Sequence, residues 1–468
     1  MTGITVRTPA GYAEERRYIA DVVLGEFLGL HFELLQISDL DHVELTVDDG
    51  SARRVVLPDA LFSTPRDHWL APSSLPRRPL GRVDLRGTPL EALVTEHVLP
   101  LVFAAPAGVE PPLAESPAEV SLSVDVFGSA FFMLTRYEEL VKPDRDERGR
   151  FPVSASLAMQ EGFLHRALIN EYVELLWWAL RRLWPRLERA QREFTEAPTH
   201  DVDVPFCVRG HSTRSVVRTV AGDVALRADP ILALERSRSL FLARTRSPEA
   251  DLCFKAFEYL MACSERHGLT STFNFMSHVA GQDHGGDYSI TDPYITALLR
   301  RIDERQHAIG FHPSYETYQD AQRVRFEFAE LRRACRAAGV TRETWGGRQH
   351  FLRWDNPTTW QAWNDAGLTW DSSLGLSQGA GFRCGVCYEY PVFNLLTRKA
   401  LALRERPLIV MDSALLGNAN RNVEGVRETI LALKATCRRF KGDFTSLWHN
   451  NRMASRKVKG LYEEVLAA

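Results

Sequence analysis

The chain has 468 residues, with 57 Lys and Arg against 60 Asp and Glu for a formal charge of −3, and is 45% hydrophobic, 25% charged and 10% aromatic. This balance excludes a disordered, collagen-like or acidic-tail protein, and it leaves no global field to recruit nucleic acid or an anionic membrane, so any anion binding must be local. The length suits about two or three domains, and seven cysteines, an odd and sparse set, argue against a disulfide framework and for a reducing compartment.

The first residues, MTGITVRTPAGYAEERRY, lack the charged start and apolar run of a secretory signal, which leads to the expectation of a cytoplasmic protein. The apolar stretch at 175–184 is broken by Arg181 and Arg182, and no window reaches the roughly 18 uninterrupted apolar residues of a spanning helix. Residues 11–30 carry Tyr18, Ile19, Val22, Val23, Phe27 and Leu28 at helical spacing, and the β-like runs VELTV and ARRVVL follow. A Pro/Ala stretch at 106–117 reads as a turn-rich connection. Next come DVFGSAFFMLTRYEEL, read as one packed helix, the charged loop KPDRDERGRF, and a strongly apolar helical pattern at 163–187. Residues 1–190 are therefore expected to form an N-terminal mixed α and β region.

Beyond it, short β-rich runs alternate with helical stretches: EAPTHDVD, TSTFNFM, HAIGFH, GGRQHF, LTWDSS, PLIVMDS and FTSLWHN. Helical patterns fall at 251–267, 292–305, 321–338, 357–366 and 422–440. Strands alternating with helices imply a parallel sheet, and this many units imply closure into a distorted (β/α) barrel over 191–468. Polar residues sit where these runs end: Asp201 and Asp203, His312, Arg348 and His350, Asp371, Asp412 and His449. A capping aspartate or a core histidine explains any one of them alone. Their coincidence at one predicted rim, where a parallel barrel builds its site, points to chemistry.

In THDVD, Asp201 and Asp203 are two residues apart, so an extended strand points both carboxylates the same way. Two such charges favour a bound cation or a raised pKa on one of them. With Asp203 on a divalent metal, Asp201 remains free to take a proton from water. His312 closes a strand before Pro313, and an imidazole there suits zinc or another first-row cation. Glu316, four residues on, shares its face if the loop makes a helical turn.

THDVD, HAIGFHPSY, RQHFLRW, WDSSL with GFRCG, and SLWHNN, taken in order, resemble the motifs of the polysaccharide deacetylase, or NodB-homology, family of metal-dependent carbohydrate deacetylases. The resemblance covers about 195–455, and a branch with an extra N-terminal region is similar back to about residue 120. It implies Asp201 as catalytic base and Asp203, His312 and Glu316 as metal ligands, with Glu316 standing where the family has a second histidine. His350 and His200 are the alternatives for that third ligand. Arg348 resembles the arginine that orients the base, Asp371 the acid of the fourth motif, and His449 the histidine that protonates the departing amine. His350, Trp448 and Arg353 are assigned to the substrate. The implied cofactor is a divalent ion, zinc foremost.

Residues 206–248 hold eight arginines against three acids, a basic insertion able to grip the phosphate of a phosphate-linked sugar or to be a solvated helical excursion. No phosphate-binding glycine loop is present. Cys384 and Cys387 read as incidental turn cysteines, and Trp345, Trp354, Trp360 and Trp370 as core residues before a sugar platform. The expected function is removal of an N-acetyl group from a carbohydrate, foremost a glycan precursor. The alternatives are an inactive barrel that binds carbohydrate or serves as a scaffold, and an O-acetyl esterase or other amidohydrolase at the same rim.

Overall fold

The computed structural model describes residues 3–104, 113–208, 212–225, 229–245, 248–278, 288–417 and 423–468. The Pro/Ala connection up to residue 112 and parts of the basic segment lie outside the described residues. The chain forms two compact units, one of Met1–Glu193, Phe382–Ala402 and Phe440–Gly442, the other of Phe194–Gly381, Leu403–Arg439 and Asp443–Ala468.

The first unit opens with β1 (Ile4–Pro9) and α1 (Ala13–Ala20), which runs on as a π-helical segment, Asp21–Phe27. Strands β2 (Phe32–Ile37), β3 (His42–Val47), β4 (Arg54–Pro58), β5 (Gly81–Asp84), β6 (Val98–Leu101), β7 (Leu113–Glu115) and β8 (Glu119–Leu122) follow. Helices α2 (Val126–Leu134), α3 (Tyr137–Val141), α4 (Leu157–Gln160) and α5 (Leu168–Leu183) complete its N-terminal part. The main sheet runs β2-β1-β3-β4-β8-β7, and β5 and β6 form a separate antiparallel pair. Alternating burial along β1 and β3 places one face of each on the core, the two-residue period of a half-buried sheet.

The helix expected over DVFGSAFFMLTRYEEL is two helices. Arg136 adopts a left-handed backbone, φ 52°, between α2 and α3. The turn sends its guanidinium inward, where Nε donates to Glu139 Oε1 at 2.9 Å and Nη1 to the Met133 carbonyl at 3.1 Å. Glu139 also accepts two bonds from Arg383, at 2.9 and 2.6 Å, so one buried carboxylate serves two arginines. Cys384 and Cys387, close by in sequence, are buried free thiols.

In the second unit, β9 (Thr195–Val202) leads to α6 (Thr213–Ala225), α7 (Pro230–Thr245), α8 (Leu252–Arg266) and β10 (Thr272–Phe275). Then follow α9 (Pro293–Glu304), β11 (Ala308–Phe311), α10 (Ala321–Ala337), β12 (Gly346–Gly347), α11 (Thr358–Asp365) and β13 (Trp370–Asp371). After β14 (Tyr390–Asn394), which belongs to the first unit, come β15 (Lys399–Glu405), β16 (Val410–Met411), α12 (Asp412–Leu416), α13 (Val423–Arg439), β17 (Asp443–Leu447) and α14 (Arg456–Ala467). The helices expected from periodicity are α8, α9, α10, α11 and α13.

Parallel pairing runs β15-β13-β12-β11-β10-β9-β17-β16. Among the described residues no ladder joins β16 to β15, so the closed barrel expected from the strand count is an open sheet in its pairing. The chain between β13 and β15 belongs largely to the first unit, so no βα repeat fills that position. Loop bonds stand in its place, Leu408 N–H to Leu374 O at 3.3 Å and Gly381 N–H to Ile409 O at 3.1 Å. Glycines let the strands close up: a β-carbon on Gly347 would collide with the Phe311 carbonyl, and one on Gly310 with the Asn274 amide.

Asp125 caps α2, its Oδ1 accepting from Gly128 N–H at 2.7 Å and its Oδ2 from Ala60 and Leu61 N–H at 2.9 and 3.0 Å. Asp125→Ala leaves three backbone donors without this partner and is expected to lower unfolding free energy by about 2 kcal/mol, measured as a shift of the urea midpoint.

Candidate active site and metal centre

β9 departs from ordinary strand chemistry by burying Thr199, His200 and Asp201 together. Buried polar groups in a strand need partners, and parallel neighbours supply them from their carboxyl ends. Asn274 of β10 lies in register with Asp201 and donates to its Oδ1 at 2.7 Å. Arg348, which follows β12, is fully buried, and its Nη1 donates to the same Oδ1 and to Thr199 Oγ1, both at 3.0 Å. Its Nε and Nη2 are held by the carbonyl and hydroxyl of Ser372, at 2.9 and 3.0 Å. Burial pulls the Asp201 pKa up, but Arg348, followed by His312 and His449, brings it below the usual carboxylate range.

His312 follows β11. Its Nδ1 pairs with the Arg348 carbonyl at 2.6 Å, which turns Nε2 toward Asp203 Oδ1 at 3.1 Å and Asp201 Oδ2 at 3.9 Å. His350 Nε2 approaches the same Asp203 oxygen at 3.7 Å, and the two imidazole rings lie 5.0 Å apart at a 70° tilt. Donor atoms of Asp203, His312 and His350 lie within 4.8 Å of one another. Asp203 Oδ1, His312 Nε2 and His350 Nδ1 are buried without a hydrogen-bond partner. A carboxylate and two imidazoles whose donor atoms come this close together fit a divalent cation such as zinc.

The electrostatics agree with that fit. Burial lowers the His350 pKa to about 4, leaving a neutral imidazole with a free lone pair at pH 7. Burial pulls the Asp203 carboxyl up, but His350 and His312 bring it well below its ordinary value. Burial pulls His312 down, and Asp201 and Asp203 raise it more.

On the other side of Asp203, His449 follows β17 with Nε2 3.7 Å from Asp203 Oδ2. Asp412 begins α12 after β16 and holds this histidine twice, through Nδ1 at 2.6 Å and through the backbone N–H at 2.9 Å. Burial works against the imidazolium, but Asp412 overrides it and raises His449 to about 9. Asp371 is fully buried beside Ser372 and Ser373, accepting from the Ser373 N–H and hydroxyl. Burial pushes its carboxyl up to about 7.

Asp201, Asp203, His312, Arg348, His350 and His449 thus share one strand-end cluster, with Asp371 behind Arg348. The expected roles of Glu316, Trp448, Arg353 and His200 change. Glu316 stays out of the donor group: its side chain is 56% exposed and 3.9 Å from Arg353, because the loop after His312 forms a 3-10 helix, Tyr315–Gln319, not an α turn. Trp448 is a core residue, fully buried with Nε1 on Ser446 Oγ at 3.2 Å, since strand alternation turns it opposite to His449. Arg353 is buried over the Tyr315 and Tyr318 rings, 3.7 and 3.8 Å from their centroids, and braces the loop. His200 has both nitrogens engaged, by the Trp448 carbonyl and Ser271 Oγ, which removes it as a ligand. Asn274 was not singled out by sequence reasoning, and Asp412 received no role. The available signals were a lone amide inside the apolar run TFNF and an acid at the end of PLIVM.

Compared with known proteins, residues 4–185 match a family model described as a family of unknown function, DUF7033. No curated protein matches the chain. Among solved structures, a candidate polysaccharide deacetylase from Mycobacterium smegmatis is 16% identical with a TM-score of 0.37, covering 59% of this chain and 85% of that one. The Xyl-CE4 domain of a multidomain xylanase from the hindgut metagenome of Trinervitermes trinervoides is 12% identical, TM-score 0.28, covering 58% and 80%. A candidate polysaccharide deacetylase from Pseudomonas aeruginosa PAO1 is 10% identical, TM-score 0.33, covering 59% and 83%.

The donor geometry distinguishes two candidate third ligands. His350→Ala is expected to weaken zinc binding by at least about tenfold in calorimetric titration of metal-stripped protein, and Glu316→Ala to leave it unchanged.

Proposed function

We propose that the second unit is a metal-dependent hydrolase that removes an N-acetyl group from a carbohydrate, foremost a glycan precursor. The observation that carries this reading is the convergence of Asp203, His312 and His350 donor atoms beside an arginine-held carboxylate and an aspartate-held imidazole. Asp203, His312 and His350 would hold the divalent ion, and the imidazole and carboxylate donors favour zinc. Such an ion, when bound, polarises an acyl carbonyl and eases deprotonation of water.

The protein's own groups supply the rest. Asn274 and Arg348 both occupy Oδ1 of Asp201, so Oδ2 is the oxygen left to take a proton from the attacking water. Arg348 keeps that carboxylate ionised and fixed, and Ser372, with Asp371 next to it, positions Arg348. As the water oxygen bonds to the acyl carbon, the C–N bond breaks, and His449 gives its Nε2 proton to the departing amine. Asp412 aligns this imidazolium and sustains it through neutral pH. The carbohydrate part of the reading rests on the ordered motifs that resemble the polysaccharide deacetylases. The precursor part rests on seven free cysteines, the usage of a reducing compartment.

Asp201→Asn is expected to cut acetate release from N-acetylated sugars by about 10²–10⁴-fold with metal content unchanged, and full turnover by this variant defeats the base assignment. Acetate release from O-acetyl but not N-acetyl sugars replaces the amidase with an esterase. Because His449 must carry a proton, turnover should fall as pH rises through about 9. Asp412→Asn removes the carboxylate that raises His449, so that alkaline fall should move to lower pH, read from kcat against pH.

A further inference from the structure

Ten large hydrophobic side chains are exposed among the described residues, and five of them, Val217, Val224, Ile231, Leu234 and Phe241, lie on α6 and α7. Leu234 is 70% and Phe241 67% exposed. The positions follow helical spacing: 217 and 224 on α6, and 231, 234 and 241 on α7, mark one outward stripe on each helix. The inward side of the pair is already complete. Leu232 and Ala233 are buried there, and buried Arg236 donates to Asp223 Oδ2 at 2.7 Å across the two helices. Val217, Val224, Ile231 and Leu234 are therefore not needed to hold the helices together, and a clustered apolar surface marks an interaction face.

Charge identifies the partner. Arg214 and Arg218 are exposed on α6 and Arg238 on α7, interleaved with the apolar positions, and they form no ion pair among the described residues. The acids of the hairpin are turned to other tasks: Asp223 holds Arg236, Asp229 caps α7 by accepting from Leu232 N–H at 2.9 Å, and Glu235 binds Arg456 at 2.7 Å. A face of exposed aliphatic and aromatic groups bordered by unpaired arginines matches an anionic bilayer surface, where the apolar groups enter the acyl boundary and the guanidinium groups meet lipid phosphates. Pairing with a second copy of the same face would oppose these arginines to one another.

We propose that the α6–α7 hairpin docks the second unit on the surface of an anionic lipid bilayer. In the chain the hairpin is the first helical element after β9, the strand that carries Asp201. The inference goes beyond the hydrolase reading and does not depend on it, since lipid binding is measured without turnover.

The test is flotation of the full chain with vesicles of phosphatidylcholine and phosphatidylglycerol, against vesicles of phosphatidylcholine alone. The chain should float with the anionic vesicles and bind the neutral ones at least about tenfold more weakly. Ile231→Gln with Leu234→Gln should lose at least about tenfold in partitioning. Arg214→Gln with Arg218→Gln should lose about tenfold and flatten the salt dependence. These side chains are exposed, so thermal melts should coincide with the parent; if the first pair shifts the melt, Leu234→Gln alone carries the same reading. Failure of the parent chain to bind anionic vesicles overturns the proposal, as does binding that neither pair of substitutions alters. A dimer in sedimentation that Ile231→Gln with Leu234→Gln dissociates, without vesicle binding, assigns the face to a second copy instead.

Discussion

Compensation of negative charge at the end of one buried strand organises the second unit. Asp201 and Asp203 leave β9 two residues apart, and neither carboxylate faces enough water to be stabilised by solvent alone. Each is met differently. Asp201 has a fixed cation, Arg348, and an amide, Asn274, both on one oxygen. Asp203 instead meets imidazoles, His312, His350 and His449, at 3.1 to 3.7 Å. That difference separates a carboxylate whose charge is permanently balanced from one whose balance is left to a mobile cation or to protons. Asp412 repeats the first solution for His449, lending a buried negative charge to keep an imidazole charged.

The same principle appears in the first unit as fixed ion pairs. Arg16 pairs with Asp59 at 2.7 Å, Arg166 with Glu171 at 2.5 Å, and Glu139 with Arg136 and Arg383, all nearly excluded from solvent. Every one of these carboxylates has a partner of fixed charge. Buried pairs of this kind cost desolvation energy and contribute mainly specificity of the packing around them. Charge burial alone therefore does not mark a site. Donor atoms gathered within ligand reach of one another do, and in the second unit Asp203, His312 and His350 supply them.

Strand-end placement was readable in advance because each acid, base or cation closes a short apolar run, and a parallel sheet brings such ends together. Helix positions were readable for a similar reason: apolar residues at three- and four-residue spacing need only one buried face. Local geometry was less accessible. One helix became two because Arg136 turned inward to Glu139, a partner that no periodicity signals. Whether the sheet closes was not readable, because strand count says nothing of where the chain departs to another unit. Asn274 stayed hidden inside an apolar run, where a single amide reads as noise until its neighbour in the sheet is known to be Asp201.

The amino-acid sequence by itself determined the α/β class, the alternation of strand-like runs with the helices α8 to α11 and α13, and the inventory of carboxylates, imidazoles and cations at the strand ends. These are local properties, carried by spacing and residue type. Tertiary structure decided which imidazole joins Asp203. The resemblance implied Glu316, with His350 and His200 as alternatives; a 3-10 turn leaves Glu316 in solvent, while His350, just after β12, comes to 3.7 Å from Asp203. It likewise decided that Trp448 packs inward while His449 faces the site. Ligand sets are assembled from segments far apart in the chain, and distance in space is a quantity that sequence spacing does not contain.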